Sequence, residues 1–266
     1  MVTGAEQGLG AAVTDQLLAS GGEVRAFLDA TDVGADAAAA LRARGCKVAV
    51  GELDDEGHLE AALAQVHTVA HCVVGPLLEP AVQVVNAATL ASALLGAGVR
   101  RLVWVRELAV DPANRYLAAL DEIGALFEEL PVETVTLSTA LRYGPADRFT
   151  RRLASGWVPA TDVDLATPHA PIHVDDVTRA VVTADRQRDA VADLHMRLGL
   201  LGPETMPLGD LLGRLGAAAV RGGKPSGDAP AWVADWLSHP AVAPPDGSAP
   251  MTVARGATHL QSPASR

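Results

Sequence analysis

Aromatic residues make up only 3% of this 266-residue sequence, and cysteine occurs twice. So few rings leave Ala, Val and Leu to build the core, which suits helices covering a parallel sheet. Cys46 and Cys72 fall in separate predicted strands without metal-ligand spacing. They are expected to be buried reduced thiols, and the expected location is cytoplasmic. The chain also lacks any run of Lys or Arg, and its formal net charge is -11. This excludes a general binder of nucleic acid or of anionic membranes, since both need clustered positive charge. Small-molecule or protein partners remain. No stretch is read as the ~18 to 20 consecutive apolar residues of a bilayer-spanning helix, and no basic, apolar, small-residue signal pattern opens the chain. There is no internal repeat.

What the sequence has instead is Thr3-Gly4-Ala5-Glu6-Gln7-Gly8-Leu9-Gly10, a glycine-rich string ahead of an Ala/Val/Leu-rich helix. Glycines in a turn between a strand and a helix let the main chain approach a pyrophosphate, while the helix N-terminus offers unpaired N–H groups and partial positive charge. The same string also serves a plain tight turn. Only Met1 and Val2 precede Thr3, so the first strand is expected either to start upstream or to be unusually short.

Beyond the turn, Leu9, Ala12, Val13, Leu17 and Leu18 recur at helical spacing until Ser20-Gly21-Gly22. A strand over 23–28 ends at Asp29. Helices are expected over 35–44, 56–65, 78–95 and 113–130, and strands over 47–50, 68–74, 101–105 and 132–137. This alternation predicts a doubly wound α/β fold with a parallel, Rossmann-like sheet. Its ligand crevice lies beyond the carboxyl ends of the strands, where Gly4 to Gly10, Asp29, Leu53, Cys72, Val73 and Arg106 would gather. Asp29, 19 residues beyond Gly10, stands where an acid accepts from the adenosine ribose and repels a 2'-phosphate, predicting NAD rather than NADP. It also reads as the start of a solvated loop.

The first 144 residues are read as the dinucleotide-binding core. Residues 145–222 form a small cap region with a basic helix at 148–154, an amphipathic helix at 174–184, a late strand at 194–198 and a helix at 208–220. The tail over 223–266 is rich in Pro, Gly, Ser and Ala and is expected to be largely disordered.

With these pieces in place, the chain resembles the short-chain dehydrogenase/reductase superfamily over about residues 1–220, in its extended epimerase/dehydratase branch and the neighbouring NmrA-like branch. The stretches that carry the likeness are Val2-Thr3-Gly4 with its glycines, Gly51-Glu52-Leu53-Asp54-Asp55, Gly98-Val99-Arg100-Arg101-Leu102-Val103, Tyr143-Gly144-Pro145 and Pro171-Ile172-His173-Val174-Asp175-Asp176-Val177. The glycine spacing itself looks more like the single-domain reductases. In the last stretch Asp175 or Asp176 is expected to cap a helix. The resemblance implies a Tyr as general acid/base, a Lys four residues later that lowers its pKa, and a Ser at the end of strand five. The Tyr matches Tyr116, but the Lys position holds Leu120 and the Ser position Arg106 or Glu107.

A tyrosine without a cation beside it, with an ordinary pKa near ~10, is a poor base at neutral pH. Arg106 is expected either to supply charge near Tyr116 and a substrate anion or to form an exposed ion pair with Glu107 or Asp111. His67 and His71 are read as packing or edge residues with no metal between them, and Ser138-Thr139 lacks the context of a hydrolytic nucleophile. Three readings follow. The first is a dinucleotide-binding sensor or partner-binding module, the second an active oxidoreductase or epimerase on a nucleotide sugar or small carbonyl compound, and the third a structural remnant without cofactor. The resemblance also allows a homodimer through the long fourth and fifth helices.

Overall fold

Alternate residues of the central strands feed two separate cores, and this is what makes the architecture three-layered. In the computed structural model, which describes residues 1–6, 8–30, 35–73, 79–109, 111–144, 146–147, 163–187, 194–215 and 251–252, strand β5 spans Arg101–Glu107. Leu102 and Trp104 enter one apolar cluster, whereas Val103 and Val105 enter the other. Successive side chains of a strand point to opposite faces, so a strand apolar at every position must be covered on both.

The other strands of the main sheet are β1 (Val2–Thr3), β2 (Arg25–Asp29), β3 (Lys47–Gly51), β4 (Thr68–His71), β6 (Glu133–Thr139), β10 (His195–Leu201) and β12 (Met251–Thr252). Their spatial order is β12-β10-β6-β5-β4-β1-β2-β3, and every pairing is parallel. The order reverses between β1 and β4, which opens the crevice of a doubly wound sheet above the carboxyl end of β1. Short strands β7 (Arg142–Tyr143) and β9 (Ile172–His173) pair with each other, as do β8 (Pro168–His169) and β11 (Met206–Pro207).

Helices α3 (Glu56–Leu63), α4 (Pro80–Ala97) and α5 (Arg115–Glu128) cover one face through Leu59, Leu63, Leu90, Leu94, Leu117 and Phe127. Helices α1 (Gly8–Ala19), α2 (Ala35–Ala43) and α6 (Val174–Arg186) cover the other through Leu9, Val13, Leu41, Val177 and Val181. Helix α7 (Leu208–Arg214) closes the first face with Leu208 and Leu212.

Two expectations change. Helix α4 has the length and apolar composition of a membrane span, although none was expected. It packs between α3 and α5 with one face, Ala87, Leu90, Ala91, Ala93 and Leu94, buried, while Val82, Val85 and Leu95 stay exposed. Helix α6 is capped by His173, whose Nδ1 accepts from the Asp175 N–H at 3.2 Å, so neither Asp175 nor Asp176 is the cap. Asp176 lies inside the first turn, where its carboxylate reaches Arg179 instead. Within the tail, Met251–Thr252 adds β12 to the edge of β10. The expected basic helix at 148–154 and residues 216–220 of the last helix lie outside the described residues.

Candidate dinucleotide site and the buried network beside it

The turn between β1 and α1 requires glycine at three places for two reasons. Gly4 and Gly8 adopt φ of 68° and 60°, left-handed conformations that L side chains rarely hold. Gly10 is helical, but a Cβ there would lie 2.1 Å from the carbonyl oxygen of Gly4. The first turn of α1 therefore presses directly on the end of β1. The turn is seated against β4, since a Cβ on Gly4 would meet the Cys72 carbonyl oxygen at 3.3 Å and Val73 Cγ2 at 3.4 Å. Gln7, the remaining member of the candidate set, lies outside the described residues.

The other candidates converge through strand pairing. Asp29 ends β2 opposite Gly51 of β3, and the Ala30 N–H donates to the Gly51 carbonyl at 3.0 Å. Asp29 is half-buried, whereas Leu53 packs into the core beneath this end of the sheet. Leu9 is buried on α1. Cys72 is buried as a free thiol, and burial pushes its pKa up to about 12 against a weaker pull from Arg142. It is therefore a neutral packing group. The neighbouring His71 accepts from or donates to Thr3 Oγ1 at 2.8 Å and sets its ring edge against Phe127. Burial lowers its pKa to about 4, so the ring is neutral.

A second cluster stands at the carboxyl ends of β5 and β6. Asn114 caps α5, accepting from the N–H groups of Tyr116 and Leu117 at 3.0 and 3.1 Å, and this places Tyr116 in the first turn. The Tyr116 side chain is completely buried, and its hydroxyl donates to Glu107 Oε1 at 3.4 Å. Glu107 in turn accepts from both terminal nitrogens of Arg142, at 2.7 and 3.3 Å. Arg142 also donates to Thr139 Oγ1 at 2.6 Å, and its Nε lies 3.9 Å from Asp147 Oδ1. Burial pushes the Glu107 carboxyl above its usual range while Arg142 opposes the shift. Burial works to lower the Arg142 pKa, but the carboxylates of Glu107 and Asp147 overcome it and hold the guanidinium charged.

Arg106 lies elsewhere. Its guanidinium donates to Asp121 Oδ1 at 2.6 Å and stacks over Trp104, 5.5 Å from the ring centroid. Its ion-pair partner is Asp121 and not Glu107, whose side chain projects to the other side of the strand, although its Nε also donates to the Glu107 carbonyl at 3.1 Å. Leu120, in the position of the resembled lysine, is buried among apolar side chains. The sequence reading missed Arg142 altogether. A charged residue between Leu141 and Tyr143, at the end of an apolar strand, is a faint signal that a buried partner exists. A cavity of about 410 Å³ opens at the amino ends of β1 to β4, bordered by Val24, Lys47 and His67, at the opposite end of the sheet from these groups.

Residues 1–117 match the model of the NmrA-like family. No curated protein matches the chain in sequence. Solved structures match it in fold. MoeE5 in complex with UDP-glucose and NAD aligns with a TM-score of 0.64 at 20% identity, over 84% of this chain and 82% of that one. The dTDP-glucose 4,6-dehydratase DesIV from Streptomyces venezuelae, with NAD and DAU bound, aligns with a TM-score of 0.66 at 19% identity, over 80% and 79%. The UDP-glucose 4-epimerase of Thermotoga maritima, with UDP-glucose, aligns with a TM-score of 0.63 at 16% identity, over 84% and 83%. The likeness to the NmrA-like family lies in the sequence of residues 1–117, and the likeness to the epimerase and dehydratase structures lies in the fold.

Proposed function

We propose that this chain binds a nicotinamide adenine dinucleotide at the β1–α1 turn without turning it over through the superfamily's proton relay, and so serves as a sensor or partner-binding module. The observation that carries the reading is the contrast between the two ends of the crevice. At one end, the glycine turn fits the group: the space a Gly10 side chain would fill is closed by Gly4 main chain, and the amino end of α1 is left to meet a pyrophosphate. Gly4, Gln7, Gly8, Leu9 and Gly10 would hold the pyrophosphate, Asp29 the adenosine ribose, Leu53 the adenine side, and Cys72 and Val73 the wall along β4. At the other end, Glu107 stands where strand five would present a serine, and Leu120 where the lysine would stand. Bound there, the dinucleotide would supply a hydride donor or acceptor, but the lysine and serine positions of the resembled relay are held by other residues and the Tyr116 hydroxyl meets the Glu107 carboxylate.

Asp29 supports NAD over NADP, since its carboxylate opposes a 2'-phosphate. Calorimetric titration with NADH and NADPH in parallel tests both points. Tighter NADH binding is the expected result. Tighter NADPH binding would overturn the role of Asp29, and silence with both would leave a scaffold without cofactor.

The retained Tyr116 supports a second reading, an NAD-dependent oxidoreductase or epimerase acting on a nucleotide sugar or a small carbonyl compound. The sugar nucleotides bound to MoeE5 and to the Thermotoga epimerase point the same way. A loss of about a hundredfold or more in turnover of any such substrate on Tyr116→Phe would displace the sensor reading. Exposed Val82, Val85 and Leu95 on α4 fit a homodimer through this helix, which size-exclusion chromatography tests.

A further inference from the structure

Helix α3 brings a histidine to the same end of the sheet as Asp29. His58 stands in the first turn of α3, where its N–H donates to the capping Asp55 carboxylate at 3.0 Å. Its side chain is exposed, yet the ring is laid back on the sheet. A Cβ on Gly51 would come within 2.5 Å of His58 Nδ1, so the imidazole occupies the space left by the missing side chain at the end of β3. A T-shaped contact with Phe27, ring centres 6.2 Å apart, holds it there.

Asp29 lies on the same face. Phe27 packs in the core cluster beneath α3 to α5, whereas Ala26 and Leu28 pack in the other, so alternation along β2 sends the Asp29 side chain towards α3. Gly51 is its in-register partner on β3. With in-register positions of neighbouring strands about 5 Å apart, the imidazole over Gly51 lies within about 8 Å of the Asp29 Cβ.

We infer that His58 is a specificity-determining residue at the adenosine end of the site, its imidazole setting, through its charge, how strictly Asp29 excludes a 2'-phosphate. The inference rests on the reading of the glycine turn and Asp29 as a dinucleotide site, and adds a control on the choice of cofactor. A phosphate brought up to Asp29 comes within range of the imidazole too, because their separation is comparable to the screening length of about 8 Å at physiological salt. A protonated ring offsets the carboxylate and attracts the phosphate, and a neutral ring does neither. Arg25 of β2 and Lys47 of β3 border the same groove as His58, and the loop ahead of α3 adds Glu52, Asp54 and Asp55. Arg25 donates to the carbonyls of Ala62 and Ala64, and Lys47 lies 3.5 Å from Glu23. Among these side-chain types imidazole is the one whose charge ordinarily changes between pH 6 and 8. Selection against NADP is therefore strict at the upper end of this range and relaxes at the lower.

Calorimetric titration of the full-length chain with NADH and NADPH at pH 6 and pH 8 tests this. The 2'-phosphate itself takes up a proton near pH 6, so His58→Gln is the reference. The rise in the ratio of NADPH to NADH affinity on going from pH 8 to pH 6 is expected to be at least about threefold larger in the native chain than in His58→Gln. His58→Lys keeps a cation at this place at both pH values. It is expected to raise the ratio at pH 8 by at least about threefold over the native chain, and to show no larger acid rise than His58→Gln. Equal acid rises in the native chain and His58→Gln, or a His58→Lys protein no more tolerant of NADPH at pH 8, would overturn the inference while NADH binding kept the dinucleotide reading. Silence with both nucleotides in all three proteins would overturn that reading and the inference with it. Each variant decides the question alone if the other does not fold.

Discussion

Glu107 and Arg142, 35 residues apart in the chain, meet at 2.7 Å with both side chains almost wholly removed from water. The pair links the end of β5 to the β7–β9 ribbon, and so ties the sheet to the segment that leads into the cap. Buried ion pairs of this kind contribute little net stability against an apolar replacement, but breaking one strands a charge.

Arg142→Met is therefore expected to destabilise the fold by about 3–5 kcal/mol, since Glu107 is left without its cation. Glu107→Leu combined with Arg142→Met is expected to recover most of that loss. Urea unfolding of the two single variants and the double variant measures the difference. Additive losses in the double variant would show that packing, and not charge, carries the effect.

Gly10→Ala forces the end of β1 and the start of α1 apart, because the new methyl lies 2.1 Å from the Gly4 carbonyl oxygen. A cost of about 1–3 kcal/mol is expected, together with loss of NADH binding. Gly213→Ala is the control: it lies in α7 with nothing within 4 Å of the added carbon, and is expected to stabilise by about 0.5–1 kcal/mol. Thermal melting with and without NADH reads both.

The buried His71 makes the fold acid-sensitive. Its pKa is about 4 in the folded chain and 6.5 when unfolded, so the unfolded state takes up a proton that the folded state refuses. The stability contributed by neutral His71 is full above about pH 6.5 and falls as pH drops toward 4, by about 3 kcal/mol in all. Glu107, whose carboxyl burial raises, works in the opposite sense over the acid end of this window. The comparison is thus with His71→Gln, whose stability is expected to vary less between pH 6.5 and 4. Equal slopes in denaturant midpoint against pH would refute the assignment.

Asp29→Asn removes the charge that opposes a 2'-phosphate while leaving an amide at the end of β2. The ratio of NADPH to NADH affinity is expected to rise by about tenfold, equivalent to about 1.4 kcal/mol. An unchanged ratio in calorimetry would place the discrimination elsewhere.

Much of the fold was legible because parallel strands covered on both faces are continuous apolar runs, and such runs need no partner to be recognised. The strands over 47–50, 101–105 and 132–137 read correctly to within two residues at each end. The cap of α6 was read as an aspartate because aspartates are common caps, yet His173 performs it through a ring nitrogen. Arg106 was read as the charge near Tyr116 because it ends the apolar run. Its neighbour Glu107 meets the tyrosine hydroxyl instead, while Arg106 lies against α5 through Asp121 and the Leu120 carbonyl, a pairing that belongs to the packing.

The sequence by itself determined the alternation of strands and helices, the glycine turn, the acid at the end of β2 and the absence of a lysine and a serine around Tyr116. Each of these is a matter of residue type at a local spacing, which a single chain carries on its face. Only the tertiary structure decided that Glu107, Tyr116, Thr139 and Arg142 share one buried site, and that Thr3 meets His71 across 68 positions. Contacts of that kind depend on the order of strands in the sheet and on which groups are shut away from water together. Burial is also what gives the carboxylate and the imidazole their altered proton affinities.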